Sequence, residues 1–376
     1  MSSKTIAVNT RFLLSKRLEG IGRFTCETLQ RIAIKHPEHR FVFLFDRPYS
    51  KEFIFSDNVL PIVVYPPARH PLLWYMWFEW AVPRVLKQVK ADVFLSTDGY
   101  CSLRSEIKTA MVIHDIAFEH YPDQIPLFAR KFYQHFSPRY ARRADSIAAV
   151  SEYTKQDLVN TYQLPASKIE VVYNGVNRIY RPLSEPAKEA VKEQYTQGKE
   201  YFLFVGAIHP RKNLARILSA FDRLKSQGNC GAKFLVAGRQ AWQCKEALDT
   251  YEAMQHKDSV IFLGHLQIDE LSKIMGAAIA LVYASVFEGF GIPIVEAFCA
   301  ETPVITGNTS SMPEVAGNAA LLVNPFSVES IYLALAQLYY NVPLRSEMIE
   351  KGRFQKTKFD WDISAENLWN CVEKLF

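Results

Sequence analysis

Short apolar runs of four to six residues recur twelve times along this chain, and longer amphipathic stretches separate them. The first series is TIAVN (5–9), FVFLF (41–45), VFLS (93–96), AMVIH (110–114), SIAAV (146–150) and IEVVY (169–173). The second is YFLFVG (201–206), KFLVAG (233–238), VIFLG (260–264), ALVYA (280–284), PVIT (303–306) and ALLV (320–323). Between them lie segments such as LARILSAFDRLKSQG (214–228), where Leu214, Ile217, Leu218, Phe221 and Leu224 share one helical face and Gly228 ends the helix. Continuous apolar strands alternating with helices form parallel, doubly wound sheets. Two such series predict an α/β chain of two Rossmann-like domains.

A chain of 376 residues is also long for a single core. The join is placed near residue 182, where Pro182 and Pro186 precede a fresh charged helix. The expected first domain is 1–182, and the second begins at 183. The last segment, DWDISAENLWNCVEKLF, reads as an amphipathic helix with Leu368, Val372 and Leu375 on one face, Phe359 and Trp361 as anchors, and Asp362 as its cap.

Residues 1–180 hold 24 Lys and Arg against 17 Asp and Glu, a net of +7, whereas 181–376 hold 20 against 22, a net of −2. The basic half suits an anionic partner, or is a scatter of solvated side chains. Cysteines 26, 101, 230, 244, 299 and 371 form no CxxC pair, so no zinc knuckle or disulfide framework is expected. No apolar run approaches the roughly 18–20 residues of a membrane span. MSSKTIAVNT lacks the pattern of a secretion signal, and the expectation is a cytoplasmic protein with reduced thiols.

Open α/β sheets bind ligands beyond the carboxyl ends of their strands, so the strand-to-helix loops carry the functional reading. In SVFEGFGIPIVEAF, Gly289 and Gly291 flank Phe290 and let main-chain N–H groups approach a ligand. Pro293 suits a first helical turn that favours an anion. Glu288 and Glu296 stand eight residues apart, both within reach of one polar ligand; the alternative is a surface loop residue and a capping carboxylate. In VGAIHPRKNL, Arg211 and Lys212 precede a helix N-terminus, where cations oppose the dipole unless an anion joins them. Gly20 and Gly22 open a helix after the first strand, but the third glycine of a dinucleotide fingerprint is missing, which counts against hydride transfer. His114 and Asp115 end the 110–114 run and point into the same crevice. Asp360-Trp361-Asp362 matches the metal motif of metal-dependent sugar transferases, yet its place before the last helix favours a capping role.

These stretches together resemble glycosyltransferase family 4, retaining nucleotide-sugar enzymes of the GT-B fold. EGFGIPIVE (288–296) matches the family's E-x7-E signature, and VSEYTKQDL (150–158), YNGV (173–176), VGAIHPRKN and SSMPEVAG (310–317) fall in the family's order. The resemblance implies two domains facing a central cleft, with the last helix (359–376) crossing back to the first, so that the second is 183–358. It implies that Glu288 contacts the transferred sugar and that Gly289, Phe290 and Gly291 meet the sugar and distal phosphate. Glu296 would bind the ribose, Arg211 and Lys212 would neutralise the diphosphate, and the Gly20–Gly22 loop would close over it. His114 would touch the sugar near the reacting centre, the main chain of His265 and Leu266 would read the base, and Asn174 belongs to the donor-binding set. Ala207 stands where many relatives have Arg, so Arg211 would supply that charge; His209 and Glu301 also depart from the frequent residues.

The implied activity is transfer of a hexose, mannose from GDP-mannose foremost, to a glycan or lipid-linked glycan, with no cofactor, no metal and no nucleic acid as partner. A UDP-sugar donor is the alternative, and a nucleotide-sugar 2-epimerase a further one. HPLLWYMWFEWAVPRVLKQ (70–88) concentrates Trp74, Trp77 and Trp80 in one helix, either core-facing or an edge that meets a lipid-linked acceptor at the inner face of the membrane.

Overall fold

The computed structural model describes residues 2–15, 18, 20–239 and 244–376. The chain divides into two units, Met1–Gly175 with Asp360–Phe376, and Val176–Phe359.

In the first unit, β1 (Thr5–Asn9), β2 (Arg40–Phe45), β3 (Val59–Val63), β4 (Val93–Ser96), β5 (Lys108–Ile113), β6 (Ser146–Ala149) and β7 (Ile169–Val171) form one parallel sheet. Its order is β3-β2-β1-β4-β5-β6-β7, so the winding reverses between β1 and β4. Six of these strands follow the apolar runs. The seventh, β3 (VLPIV), was not anticipated because Pro61 interrupts it; β3 lies at the sheet edge, where a missing N–H is tolerated. Ala7, Val42, Phe94, Met111 and Ile147 pack on the helices through side chains that are fully or almost fully buried. The aromatic stretch is divided: Trp77 is buried and Trp74 partly so, with their indole N–H groups donating to Val64 O and Ala68 O at 2.9 Å, while Trp80 is 54% exposed. A π-helical turn over Trp77–Ala81 separates the helical pieces Pro71–Met76 and Val82–Gln88.

In the second unit, β8 (Tyr201–Val205), β9 (Lys233–Ala237), β10 (Val260–Gly264), β11 (Ala280–Tyr283), β12 (Val304–Gly307) and β13 (Ala320–Val323) pair in parallel as β10-β9-β8-β11-β12-β13. All six follow the second series of runs. Here the winding reverses between β8 and β11. The helix Leu214–Gln227 buries the five residues assigned to its inner face; Gly228 ends it in extended rather than left-handed backbone.

The helix Trp361–Glu373 belongs to the first unit, packed on the helix Gly20–Lys35. Trp361 is 3% exposed, with its ring 6.0 Å from Phe24, and a Cβ on Gly175 would meet that indole at 2.5 Å. Ser364 Oγ donates to Tyr173 O at 2.6 Å. Phe359, one residue before the change of unit, packs edge-on against Phe290 of the second unit at 5.4 Å. The cap differs from expectation: Asp360 accepts the N–H of Asp362 at 2.6 Å, whereas the Asp362 carboxylate takes Arg31 Nε at 2.8 Å. Asp360 has the extended backbone a cap requires, and Asp362 is already inside the first turn. Among the described residues, no helix is long and apolar enough to cross a membrane.

Candidate active site

The two reversals of winding select which loops matter, because the loops leaving the two adjacent strands there run to opposite faces of the sheet and leave a crevice between them. In the second unit these are the loops after β8 and β11. After β8 the chain makes a short 3-10 turn, Pro210–Lys212, and Asn213 then adopts left-handed backbone (φ 61°) at the start of the helix Leu214–Gln227. Buried Asn213 donates through Nδ2 to Ala284 O at 2.9 Å and Pro325 O at 2.7 Å, tying the turn to the end of β11. After β11 come Glu288 and the glycines. Gly291 sits at φ 96°, which a side chain rarely adopts, and opens the helix Ile292–Cys299.

These loops bring Arg211, Lys212 and Glu288 together. Lys212 Nζ donates to Glu288 Oε1 at 2.7 Å, and Arg211 Nη1 lies 3.5 Å from Oε2 while donating to Phe287 O at 3.0 Å. The anion that the paired cations required therefore includes a carboxylate of the protein itself. Glu288 is 6% exposed. Burial by itself would raise its pKa, but Lys212 and Arg211 outweigh burial and hold it below the usual carboxylate value. Glu296 is also buried, on the Ile292–Cys299 helix.

Three residues given no individual role from the sequence complete the cluster. Tyr283, 2% exposed on β11, accepts from Lys212 Nζ at 2.6 Å and presents its ring 4.8 Å from that nitrogen. Burial, then the charge of Glu288, pushes its phenol well above the ordinary pKa, so it stays protonated. Ser310 Oγ accepts the Glu288 N–H at 2.9 Å, and Ser311 Oγ donates to Glu288 O at 2.9 Å. The serines of SSMPEVAG thus fix the backbone of EGFG. His265 is exposed and Leu266 half-buried just past β10. Hydrogen bonds Ile208 N–Arg239 O (2.9 Å) and Gly238 N–Gly264 O (2.7 Å) join the ends of β8, β9 and β10 into one rim.

In the first unit, Gly20 and Gly22 begin the helix Gly20–Lys35; a Cβ on Gly22 would meet Phe12 O at 2.5 Å. One turn on, Phe24 meets the His114 ring edge-on at 5.2 Å, which brings the glycine loop beside the end of β5. His114 Nε2 bonds Thr97 O at 2.9 Å. A carbonyl only accepts, so Nε2 carries the proton and Nδ1 is the acceptor. Burial is the largest influence on His114 and pulls its pKa down, which keeps the ring neutral. Asn174 is buried just past β7, two strands beyond β5, and its Oδ1 has no hydrogen-bond partner among the described residues.

Sequence reasoning missed the buried pair of Arg11 and Asp98 at the ends of β1 and β4. The Arg11 guanidinium also lies 4.4 Å from the Tyr100 ring and 5.3 Å from Phe78. A single charge after a strand is too common a signal to have found it. His120 Nε2 bonds both oxygens of Asp157 at 2.9 Å, so HDIAFEH and SEYTKQD are held to each other by hydrogen bonds.

Two doubly wound parallel units are the architecture of GT-B glycosyltransferases. The crystal structure of WaaG, a glycosyltransferase involved in lipopolysaccharide biosynthesis, superposes with a TM-score of 0.75 at 18% identity, covering 96% of this chain and 97% of that one. The model for glycosyl transferases group 1 matches residues 187–355, and that for Glycosyltransferase Family 4 matches 19–178. The O-antigen chain mannosyltransferase RfbU of Salmonella typhimurium is 31% identical over 308 residues, 80% of this chain and 79% of the relative. The O-antigen chain mannosyltransferase B of Escherichia coli is 24% identical over 371 residues, 95% and 97% respectively. The chain is a glycosyltransferase and belongs to family 4.

Proposed function

We propose that this enzyme moves mannose from GDP-mannose to a glycan or lipid-linked glycan, with retention of anomeric configuration and without a metal ion, at the cytoplasmic face of a membrane. The observation that carries the reading is the cluster of Lys212, Arg211 and Glu288 at the β8/β11 reversal. Two cations and one buried carboxylate leave a local excess of positive charge. Departure of a nucleoside diphosphate places negative charge on phosphate oxygens, and cations held in advance stabilise it without reorganising. The main-chain N–H groups of Gly289, Phe290 and Gly291 add to this, and Tyr283 keeps Lys212 in place. Glu288 holds both cations and accepts hydrogen bonds from sugar hydroxyls; Glu296 takes the ribose, and the rim carrying His265 and Leu266 reads the base.

The first unit supplies the Gly20–Gly22 loop, Asn174 and His114, whose neutral Nδ1 accepts a hydroxyl hydrogen of the sugar. No carboxylate is assigned as a nucleophile, so substitution proceeds on the face the leaving group vacates. The acceptor hydroxyl loses its proton to the departing phosphate. Support for mannose comes from the two relatives, both named as O-antigen chain mannosyltransferases.

The test is a thermal-shift panel of GDP, UDP and ADP, then product analysis with the corresponding sugar donors after EDTA treatment. GDP at roughly 100 times its dissociation constant should stabilise by about 2.7 kcal/mol. A response to UDP alone replaces the donor. Dependence on added Mn²⁺ or Mg²⁺ refutes metal independence, and an inverted product refutes retention.

A further inference from the structure

The helix Leu127–Arg143 of the first unit has a face that the transfer reaction leaves unused. Its sequence, LFARKFYQHFSPRYARR, carries five Lys and Arg and no Asp or Glu. Phe128, Lys131, His135, Arg139 and Arg142 are all exposed and follow one another at three- or four-residue steps, a single stripe along the helix. Phe132, Tyr140 and Ala141 are its buried residues. At the N-terminal end Phe128 is 76% exposed and Leu127 is 51% exposed. Arg130 and Arg143 are answered by Asp123 and Asp145, at 2.8 and 3.2 Å. Among the described residues, Lys131, Arg139 and Arg142 make no salt bridge to a carboxylate.

The aromatic stretch Pro71–Met76, Trp77–Ala81, Val82–Gln88 lies alongside, with Trp74 stacked on Tyr133 at 5.6 Å and Tyr75 against Phe136 at 5.7 Å. It repeats the same outward composition. Leu72 is 64% and Trp80 54% exposed, and Arg84 and Lys87 are exposed as well. Its one acid, Glu79, is buried and accepts the N–H of Leu103. Arg104 adds a cation to this stretch, with its guanidinium 5.8 Å from the Trp80 ring and Nη2 donating to Tyr75 Oη at 3.3 Å.

Cations without acids attract any polyanion, but bare aromatic and leucine tips among them are satisfied only where apolar material lies just beneath the charge. A bilayer with anionic headgroups has that layering: phosphates meet the cations, and the aromatic bodies sink to the acyl boundary. The geometry points to this face of Leu127–Arg143 and the adjoining Leu72–Trp80–Arg104 surface as a docking surface for an anionic phospholipid bilayer. The inference deepens the reading that the acceptor is carried on a membrane lipid, and it locates the contact on the cationic helix as well as on the tryptophan stretch.

The test is co-flotation of the full chain with vesicles of phosphatidylcholine alone or mixed with phosphatidylglycerol. Binding is expected only to the anionic vesicles. It should be strong at about 0.1 M salt, where the Debye length is about 10 Å, and lost near 1 M, where it is about 3 Å. One cation near such a surface is worth about a fivefold change in partition, so Lys131→Glu with Arg139→Glu should weaken binding at least roughly 30-fold. Phe128→Ser with Trp80→Ser should weaken it without changing its salt dependence. All four positions are exposed, and an unchanged melting midpoint checks that the variants fold. Equal binding by wild type and the charge-reversal pair overturns the proposal, as does binding to a DNA duplex but not to vesicles. Transfer to a short soluble acceptor in detergent should be unchanged in these variants. If wild type fails that assay yet floats with anionic vesicles, the enzymatic reading fails and the docking surface stands.

Discussion

Replacing Glu288 by Gln keeps the shape of the side chain and removes the charge that Lys212 and Arg211 share. Breaking a buried ion pair typically costs about 3–5 kcal/mol, because the partner is left charged and dry. Here the partners' side chains are 17% and 25% exposed, so water answers part of the loss. Lys212 also keeps the Tyr283 hydroxyl at 2.6 Å. The expected destabilisation is therefore smaller, about 2–3 kcal/mol, or about 4–12 °C in melting temperature for a unit of this size. Adding Lys212→Met removes the stranded cation and should return part of that loss, a coupling of about 1–3 kcal/mol. Transfer should behave differently. Glu288→Gln should lower the rate by about 10²–10³, and the double variant should be no faster, since neither the sugar contact nor the phosphate contact is restored. Urea unfolding and initial rates on the three proteins separate the two effects. Near-normal turnover in Glu288→Gln, or strictly additive stabilities, would refute the reasoning.

The same carboxylate sets a pH dependence. Lys212 and Arg211 hold Glu288 below its ordinary 4.5, so the unfolded chain takes up this proton first. Its contribution is complete above about pH 4.5 and fades as pH falls through the folded value; wild type should lose stability more steeply than Glu288→Gln as pH falls below about 4.5, and parallel curves would count against the pairing. Tyr283→Phe removes the hydroxyl that accepts from Lys212 while keeping the ring, and should slow transfer about tenfold with little change in acceptor KM; an unchanged kcat would reduce Tyr283 to a packing residue. Asp360→Ala should cost about 1 kcal/mol as the true cap of the last helix, and Asp362→Ala, which loses an exposed pair to Arg31, less than half of that in thermal unfolding. Trp361→Ala should cost about 3–5 kcal/mol, because the indole is 3% exposed and sits against Phe24 and Gly175; a melting temperature within a degree or two of wild type would show that the anchor is misplaced.

What was legible in the sequence follows from how each feature is encoded. A parallel strand buried on both faces must be apolar without interruption, so twelve of the thirteen strands announce themselves, and β3 escapes because an edge position excuses Pro61. Sheet order cannot be read this way, since it depends on which strand each connection returns to. Yet order is what selects the loops after β8 and β11 over the other four of that sheet. The charged members of the cluster were visible because Arg211, Lys212 and Glu288 are polar residues in Gly- and Pro-rich loops, out of place unless they meet something. Tyr283 was invisible for the opposite reason. A tyrosine inside ALVY looks like strand filler, and only the fold turns its hydroxyl toward a lysine 71 residues away in the chain. The Arg11–Asp98 pair, 87 residues apart, was hidden in the same way. Long-range polar pairs carry no local period, and each partner alone reads as ordinary surface. Asp362 was mistaken for the cap because two aspartates flank Trp361, and only backbone conformation separates the residue before the first turn from one within it. Local chemistry therefore identifies which residues are unusual, whereas topology decides which of them meet. In this enzyme the glycines and prolines of the strand-end loops are the signal that joins the two, since they mark in sequence the places where main chain is left open to a ligand.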